Sequence, residues 1–251
     1  MLRRLLSWLG SDDDRPADPE TRADRLREIG RDPLAHGHDA TEDVLAALDD
    51  ESPLVRTTAA EVLGSVEVYH ELVAADPLIE CLDDPERSVR LAAAEALTVT
   101  TDATVVDDVL PYALADDPGV RAAGAVGLYH ALGRITYEFA PAQVEALFDA
   151  VAATNEGDAG TEDDELAREY LLSAISRGVA TRDLASLDAA RTDILVTALD
   201  DDAISVSGQA AALLGHVDNE TARAGLRKAS ERHADERVRD AATEALTDGA
   251  E

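Results

Sequence analysis

The stretch "LDDPERSVRLAAAEAL", Leu82 to Leu97, decides how the rest of the chain is read. An acidic pair and a proline stand directly before a Val-Arg step and an alanine-rich apolar run. Taken alone, Asp83, Asp84 and Arg90 have the makings of a charged site. Beside "LDDESPLVRTTAAEVLG" (48–64) the stretch repeats without a gap: Leu48 falls on Leu82, Asp49-Asp50 on Asp83-Asp84, Val55-Arg56 on Val89-Arg90, and Leu63 on Leu97. A third copy, "LADDPGVRAAGAVGL" (114–128), carries Val120-Arg121 after a slightly shorter loop. A later one, "LDDDAISVSGQAAALLG" (199–215), has Ser207 where the arginine stood, and "ERVRDAATEAL" (236–246) restores Val238-Arg239. Between them lies a degenerate unit at about 141–178, with "QVEALFDAVAA" as first helix, "DELAREYLLSAIS" as second, and Ala167-Arg168 at the Val-Arg place.

Each copy follows one physical pattern. An amphipathic segment such as "EDVLAALDD" has apolar residues at helical spacing; a turn rich in Asp, Pro, Ser and Gly follows; a second helix then aligns Val, Ala, Ala and Leu on one stripe. The unit is a helix hairpin. Alanines at fixed places let neighbouring helices approach near the lower end of the usual ~8–10 Å separation. A single hairpin cannot bury its stripe, so the copies must stack. The sequence therefore predicts an all-α fold: an α-solenoid of about six helix hairpins over residues 21–251, preceded by an amphipathic helix and acidic linker at 1–20.

Composition agrees and narrows the function. Hydrophobic residues make up 45% of the 251 and aromatics only 3%, so the core must be built from Ala, Leu and Val. The formal net charge of -31, with Lys228 the single lysine, points away from nucleic acid, whose affinity comes from Lys and Arg neutralising phosphates. Such an Asp-rich, nearly Lys-free surface resembles that of halophile proteins, where molar salt shortens the Debye length to about 3 Å. The lone Cys81 excludes an internal disulfide or a cysteine-based zinc cluster and reads as a core hydrophobe. The apolar run Leu5–Leu9 is too short for a secretion signal, and the expected compartment is the cytoplasm.

The pattern L-x-D-D-x-x-x-x-V-R-x-x-A-A-x-A-L resembles HEAT repeats over about residues 41–246, and "VRxxAAxAL" is most similar to the phycobilisome-lyase-like type. The resemblance implies a ladder in which the inter-helix aspartate pairs with the arginine opening the second helix. By matching position, that ladder is Asp50, Asp84 and Asp116 with Arg56, Arg90, Arg121 and Arg239. It is expected to break at Ser207 and to lose register in the degenerate unit. The family includes scaffolds, adaptors, lyases and a hydroxylase, so a lyase- or hydroxylase-like metal or cofactor protein is the competing expectation.

No catalytic residue is assigned. Acidic pairs that recur in several units without converging read as structure. Deoxyhypusine hydroxylase, a relative in this repeat class, holds two irons with several His-Glu pairs; here there is one, His70-Glu71, which cannot supply such a set. "His36-Gly37-His38-Asp39" offers two imidazoles and a carboxylate, short of a full ligand set. No metal or cofactor is expected.

Two segments fall outside the repeat. In "MLRRLLSWLG" Leu5, Leu9 and Trp8 share an apolar side while Arg3 and Arg4 lie opposite, which suits a cap on the first repeat or a contact of residues 2–9 with a partner groove or membrane surface. "TNEGDAGTEDDE" (154–165) reads as a solvated acidic insertion. The function expected from all this is a non-enzymatic scaffold with a protein partner, docking on the face formed by successive second helices. The alternatives are the metal or cofactor protein and a peripheral membrane adaptor.

Overall fold

The computed structural model describes residues 18–32, 39–65, 75–100, 102–154 and 161–248. Their regular secondary structure is all helical, with no strand among the described residues. The helices are α1 (Pro19–Arg31), α2 (Asp39–Ala46), α3 (Pro53–Ser65), α4 (Asp76–Glu80), α5 (Arg87–Ala96), α6 (Thr104–Ala113) and α7 (Pro118–Ala131). They continue as α8 (Pro141–Ala153), α9 (Glu162–Gly178), α10 (Thr181–Ala185), α11 (Ala189–Ala198), α12 (Ile204–Leu214), α13 (Glu220–Arg232) and α14 (Glu236–Asp248).

The second helices of the hairpins pack in sequence, α3 on α5, α5 on α7, α7 on α9, α9 on α12 and α12 on α14. Their partners α2, α4, α6, α8, α11 and α13 form the outer row, with α10 a short extra turn before α11. Six hairpins are thus described, in an α-solenoid. Helix α1 packs directly on α3 and so extends the row of second helices by one.

Polar caps mark where several of the helices start. Asp117 accepts from the Val120 N–H ahead of Pro118, which needs no donor of its own at the first helical position. Thr161 and Asp164 form a reciprocal capping box on α9. The insertion expected at 154–165 is therefore corrected in its second half: Glu162–Glu165 form the first turn of α9, where four carboxylates suit the positive end of the helix dipole.

Small residues set how closely the helices lie. The alanine pairs Ala59-Ala60, Ala93-Ala94 and Ala210-Ala211 are wholly buried, and in the degenerate unit Leu171-Leu172 take their place, equally buried. A methyl at Gly64 would lie 2.8 Å from Ala96 Cα, so α3 and α5 touch through backbone there. A methyl at Gly124 would lie 2.7 Å from the Tyr112 carbonyl oxygen, so α6 and α7 do the same. Leu63, Leu97 and Leu128 occupy one stripe and are fully buried, each contributing about 2 kcal/mol of hydrophobic stabilisation.

Candidate docking surface

The arginines that open the second helices act locally first. Arg56 Nη1 donates to the carbonyls of Asp50 and Glu51, six and five residues back. Arg90 holds Asp84 and Pro85 in the same way, Arg121 holds Ala115 and Asp116, and Arg239 holds His233 and Ala234. Each guanidinium thereby satisfies carbonyls that the turn leaves without helical partners.

The rest of the guanidinium reaches forward to the next repeat. Arg22 of α1 meets Asp50 at 2.7 Å, and Arg56 grips Asp84 through two bonds of 2.8 and 2.9 Å. Arg121 meets Asp164 at 2.9 Å, and Arg168 pairs with Asp201. The carboxylates also hold their own turns: Asp50 accepts from Ser52 N–H, Asp84 from Glu86 N–H and Asp201 from Ala203 N–H. Burial alone would raise the Asp84 carboxyl, but the hydrogen bonds from Arg56 and Glu86 hold it below the ordinary range. Asp164 is lowered likewise, its burial outweighed by Thr161 and Arg121.

This geometry corrects the aligned ladder at three places. Asp116 contributes only its carbonyl, because the shorter third loop puts Ala115, not an aspartate, six residues before the arginine. Arg90 accordingly sends its Nε to the Gly119 carbonyl at 3.2 Å. The degenerate unit does not interrupt the row, since Arg121 finds Asp164 and Arg168 finds Asp201 on either side of it. At Ser207 the row does stop: its buried hydroxyl bonds to the Ala203 and Ile204 carbonyls of its own helix. The matching aspartate position in the next repeat is His233, whose Nδ1 accepts from Asp235 N–H. Arginine and aspartate are replaced together there.

With their arginines so engaged, these helices present a different chemistry on the side facing away from the outer row. Gly124 marks the line along which α7 touches α6. At 100° per residue, Tyr129 and His130 lie roughly 140° and 120° away from that line. There the Tyr129 and Tyr170 rings meet edge-on at 5.2 Å, the His130 ring is 5.3 Å from Tyr129, and Arg177 Cζ sits 3.9 Å over the Tyr129 ring. Burial lowers the His130 imidazole below its ordinary value; Glu95 of α5 pulls it up and Arg177 pushes it down. Burial raises the Tyr170 phenol, with Glu169, Tyr129 and Glu95 adding to it. Sequence reasoning missed this cluster, because its members lie on different repeats and share no motif.

Glu95 also edges a shallow groove of about 270 Å³ between α3 and α5, with Glu61 opposite it, Gly64 open at its floor and the buried Ala60, Ala92 and Ala96 beneath. Both glutamates are exposed. At the N-terminal edge of the same row, Arg87 of α5 reaches past α7 to Asp163 at 2.7 Å and Glu162 at 3.1 Å on α9. In a straight row, helices two places apart would be about 16–20 Å from axis to axis. The link therefore draws α5 and α9 together over α7, and this side of the row is hollow. Helix α7 is correspondingly buried almost all round.

His36, His38, His70, Glu71, Arg3, Arg4, Leu5, Trp8 and Leu9 lie outside the described residues. Among the described residues no three His, Cys, Asp or Glu side chains are grouped to hold a metal ion. None of the described helices is long and apolar enough to cross a membrane.

Solved structures match this architecture at low identity. An archaeal HEAT-like repeat protein from Thermococcus onnurineus NA1 is 14% identical, with a TM-score of 0.56 over 91% of this chain and 97% of that one. An engineered protein is 17% identical, with a TM-score of 0.60 over 99% of this chain and 68% of its own. A designed armadillo repeat protein in complex with the peptide (KR)4 is 17% identical, with a TM-score of 0.50 over 99% of both chains. No curated protein matches the chain. The family model for HEAT repeats matches residues 3–98 and again 74–159. Since those matches span more than half of the sequence, and the described helices stack as hairpins, the chain belongs to the HEAT-repeat family.

Proposed function

We propose that this protein is a non-enzymatic interaction scaffold whose docking surface is the hollow side of the second-helix row. The observation that carries the reading is the cluster of Tyr129, His130 and Tyr170 on that side, in a chain with only 3% aromatic residues. Half-exposed tyrosines beside an arginine are the side chains that dominate binding energy at protein interfaces. The arginine ladder, by contrast, is committed to structure, and its residues Asp50, Arg56, Asp84, Arg90, Arg121 and Arg239 serve the stack. The designed armadillo neighbour, seen with a bound peptide, supports the use of such a scaffold for peptide docking.

The finer reading follows the sequence. The repeat form "VRxxAAxAL" supports the phycobilisome-lyase-like subtype. The charge of -31 supports an origin in a salt-rich cytoplasm. The test is site-specific photocrosslinking in native salt, with p-benzoylphenylalanine at position 129 or 170 and, for comparison, at the exposed outer positions 193 and 231. A discrete partner crosslinking from the first pair alone supports the reading. The same products from all four positions, or none from any, overturn it.

A further inference from the structure

The hollow side carries a charge arrangement that the ladder does not explain. Ladder carboxylates such as Asp84, Asp164 and Asp201 each have an arginine. Glu61 and Glu95 sit at equivalent places on α3 and α5 and, among the described residues, form no ion pair; between them lies the alanine-and-glycine floor of the groove. The Glu95 charge also acts on the His130 imidazole and the Tyr170 phenol, raising both. From these placements we infer that the groove seats lysine or arginine side chains of an extended partner segment. The aliphatic stem lies across Gly64 and the cation between the two carboxylates, while the following residues cross Tyr170 and Tyr129.

Three features favour this occupant. A long basic side chain has an apolar stem and a charged head, which is the order of surfaces the groove presents. Opposite charge at contact distance survives salt that screens longer-range attraction. A second copy of this chain would bring 53 acidic against 22 basic residues to an already acidic face.

This inference rests on the docking surface proposed above, and its test separates the two. A labelled short peptide of alternating lysine and alanine is titrated into the full chain by fluorescence anisotropy, beside a glutamate–alanine counterpart. The double variant Glu61→Gln, Glu95→Gln should weaken binding about tenfold, as for charges in direct contact with a ligand. The double variant Asp193→Asn, Glu231→Gln removes the same charge from the outer helices and should change it by less than about twofold. Circular dichroism confirms that both variants keep their helices. Equal weakening in the two variants, or no preference for the lysine peptide, overturns the inference. So does a partner that crosslinks at position 129 through an acidic or apolar segment, an outcome that leaves the scaffold reading standing.

Discussion

Arg56 grips Asp84 of the following repeat with two near-parallel hydrogen bonds while its remaining nitrogen holds the carbonyls of Asp50 and Glu51 in its own. One side chain thus closes a turn and joins two hairpins. Both partners are mostly buried, at 12% and 10% exposure. Removing either leaves the other charge unpaired, so Arg56→Ala and Asp84→Ala should each cost about 3–5 kcal/mol, Arg56→Ala the more because two carbonyls also lose their donor. The double variant should cost less than the sum by about 1–3 kcal/mol. Denaturant midpoints of the four proteins measure this, and simple additivity would refute the pairing.

Acid should weaken the fold in two stages. His130 is held below its ordinary value by burial, so as pH falls below about 6.5 the unfolded chain takes a proton before the folded one does and stability declines. Asp84 and Asp164 are lowered despite their burial, so their contribution is whole above about pH 4 and is lost as pH falls through their folded values. Urea titrations across pH should show both stages. The first should vanish in His130→Gln, and the second should flatten in Asp84→Asn.

Two glycines in equivalent helices should respond oppositely to alanine. At Gly124 the new methyl meets the backbone of Tyr112 and Ala113, which cannot rotate away, so Gly124→Ala should destabilise by about 1–3 kcal/mol. At Gly208 it meets nothing within 4 Å, so Gly208→Ala should stabilise by about 0.5–1 kcal/mol through helix propensity. Thermal melts give the signs directly.

Cys81 should be inert in the folded protein. It is buried, and that burial, reinforced by Asp84 and Asp49, pushes its thiol up to about 11. Iodoacetamide at neutral pH should therefore modify it only as fast as the chain opens, and readily in denaturant. Rapid alkylation under native conditions would place Cys81 at the surface.

The hairpins were legible because Leu, Asp, Val-Arg and Ala recur in register, and a periodic signal reports a stacked fold directly. The ladder was legible only in part, because what matters is the residue six places before each arginine rather than the acidic pair itself. A one-residue shorter loop moved Asp116 off that place and left Ala115 on it. Arg22 was missed because α1 lacks the preceding "LDD" signature, although "TRADRLREIG" carries Ile29 and Gly30 at the spacing from the arginine that Leu63 and Gly64 have from Arg56. Asp164 was read both as the end of the acidic insertion and as the first residue of a second helix, and its place in the ladder was missed because its capping role depends on where α9 begins and its pairing on Arg121, far away in sequence. The cluster of Tyr129, His130 and Tyr170 has no sequence signal at all, being produced by the way α7 and α9 lie side by side.

The link from Arg87 to Asp163 changes how the array should come apart. In a solenoid each repeat normally touches only its neighbours, so stability spreads along the stack like links in a one-dimensional chain, and the ends fray independently. A bond that skips a repeat ties three units into one. Amides of α5, α7 and α9 should then exchange with a shared opening free energy, while α1 and α14 exchange first. Arg87→Gln should split that block in hydrogen-exchange measurements with little loss of total stability, since the arginine is 40% exposed. The middle of the molecule is in this sense a keystone, and the surface proposed for docking lies on its most cooperative part.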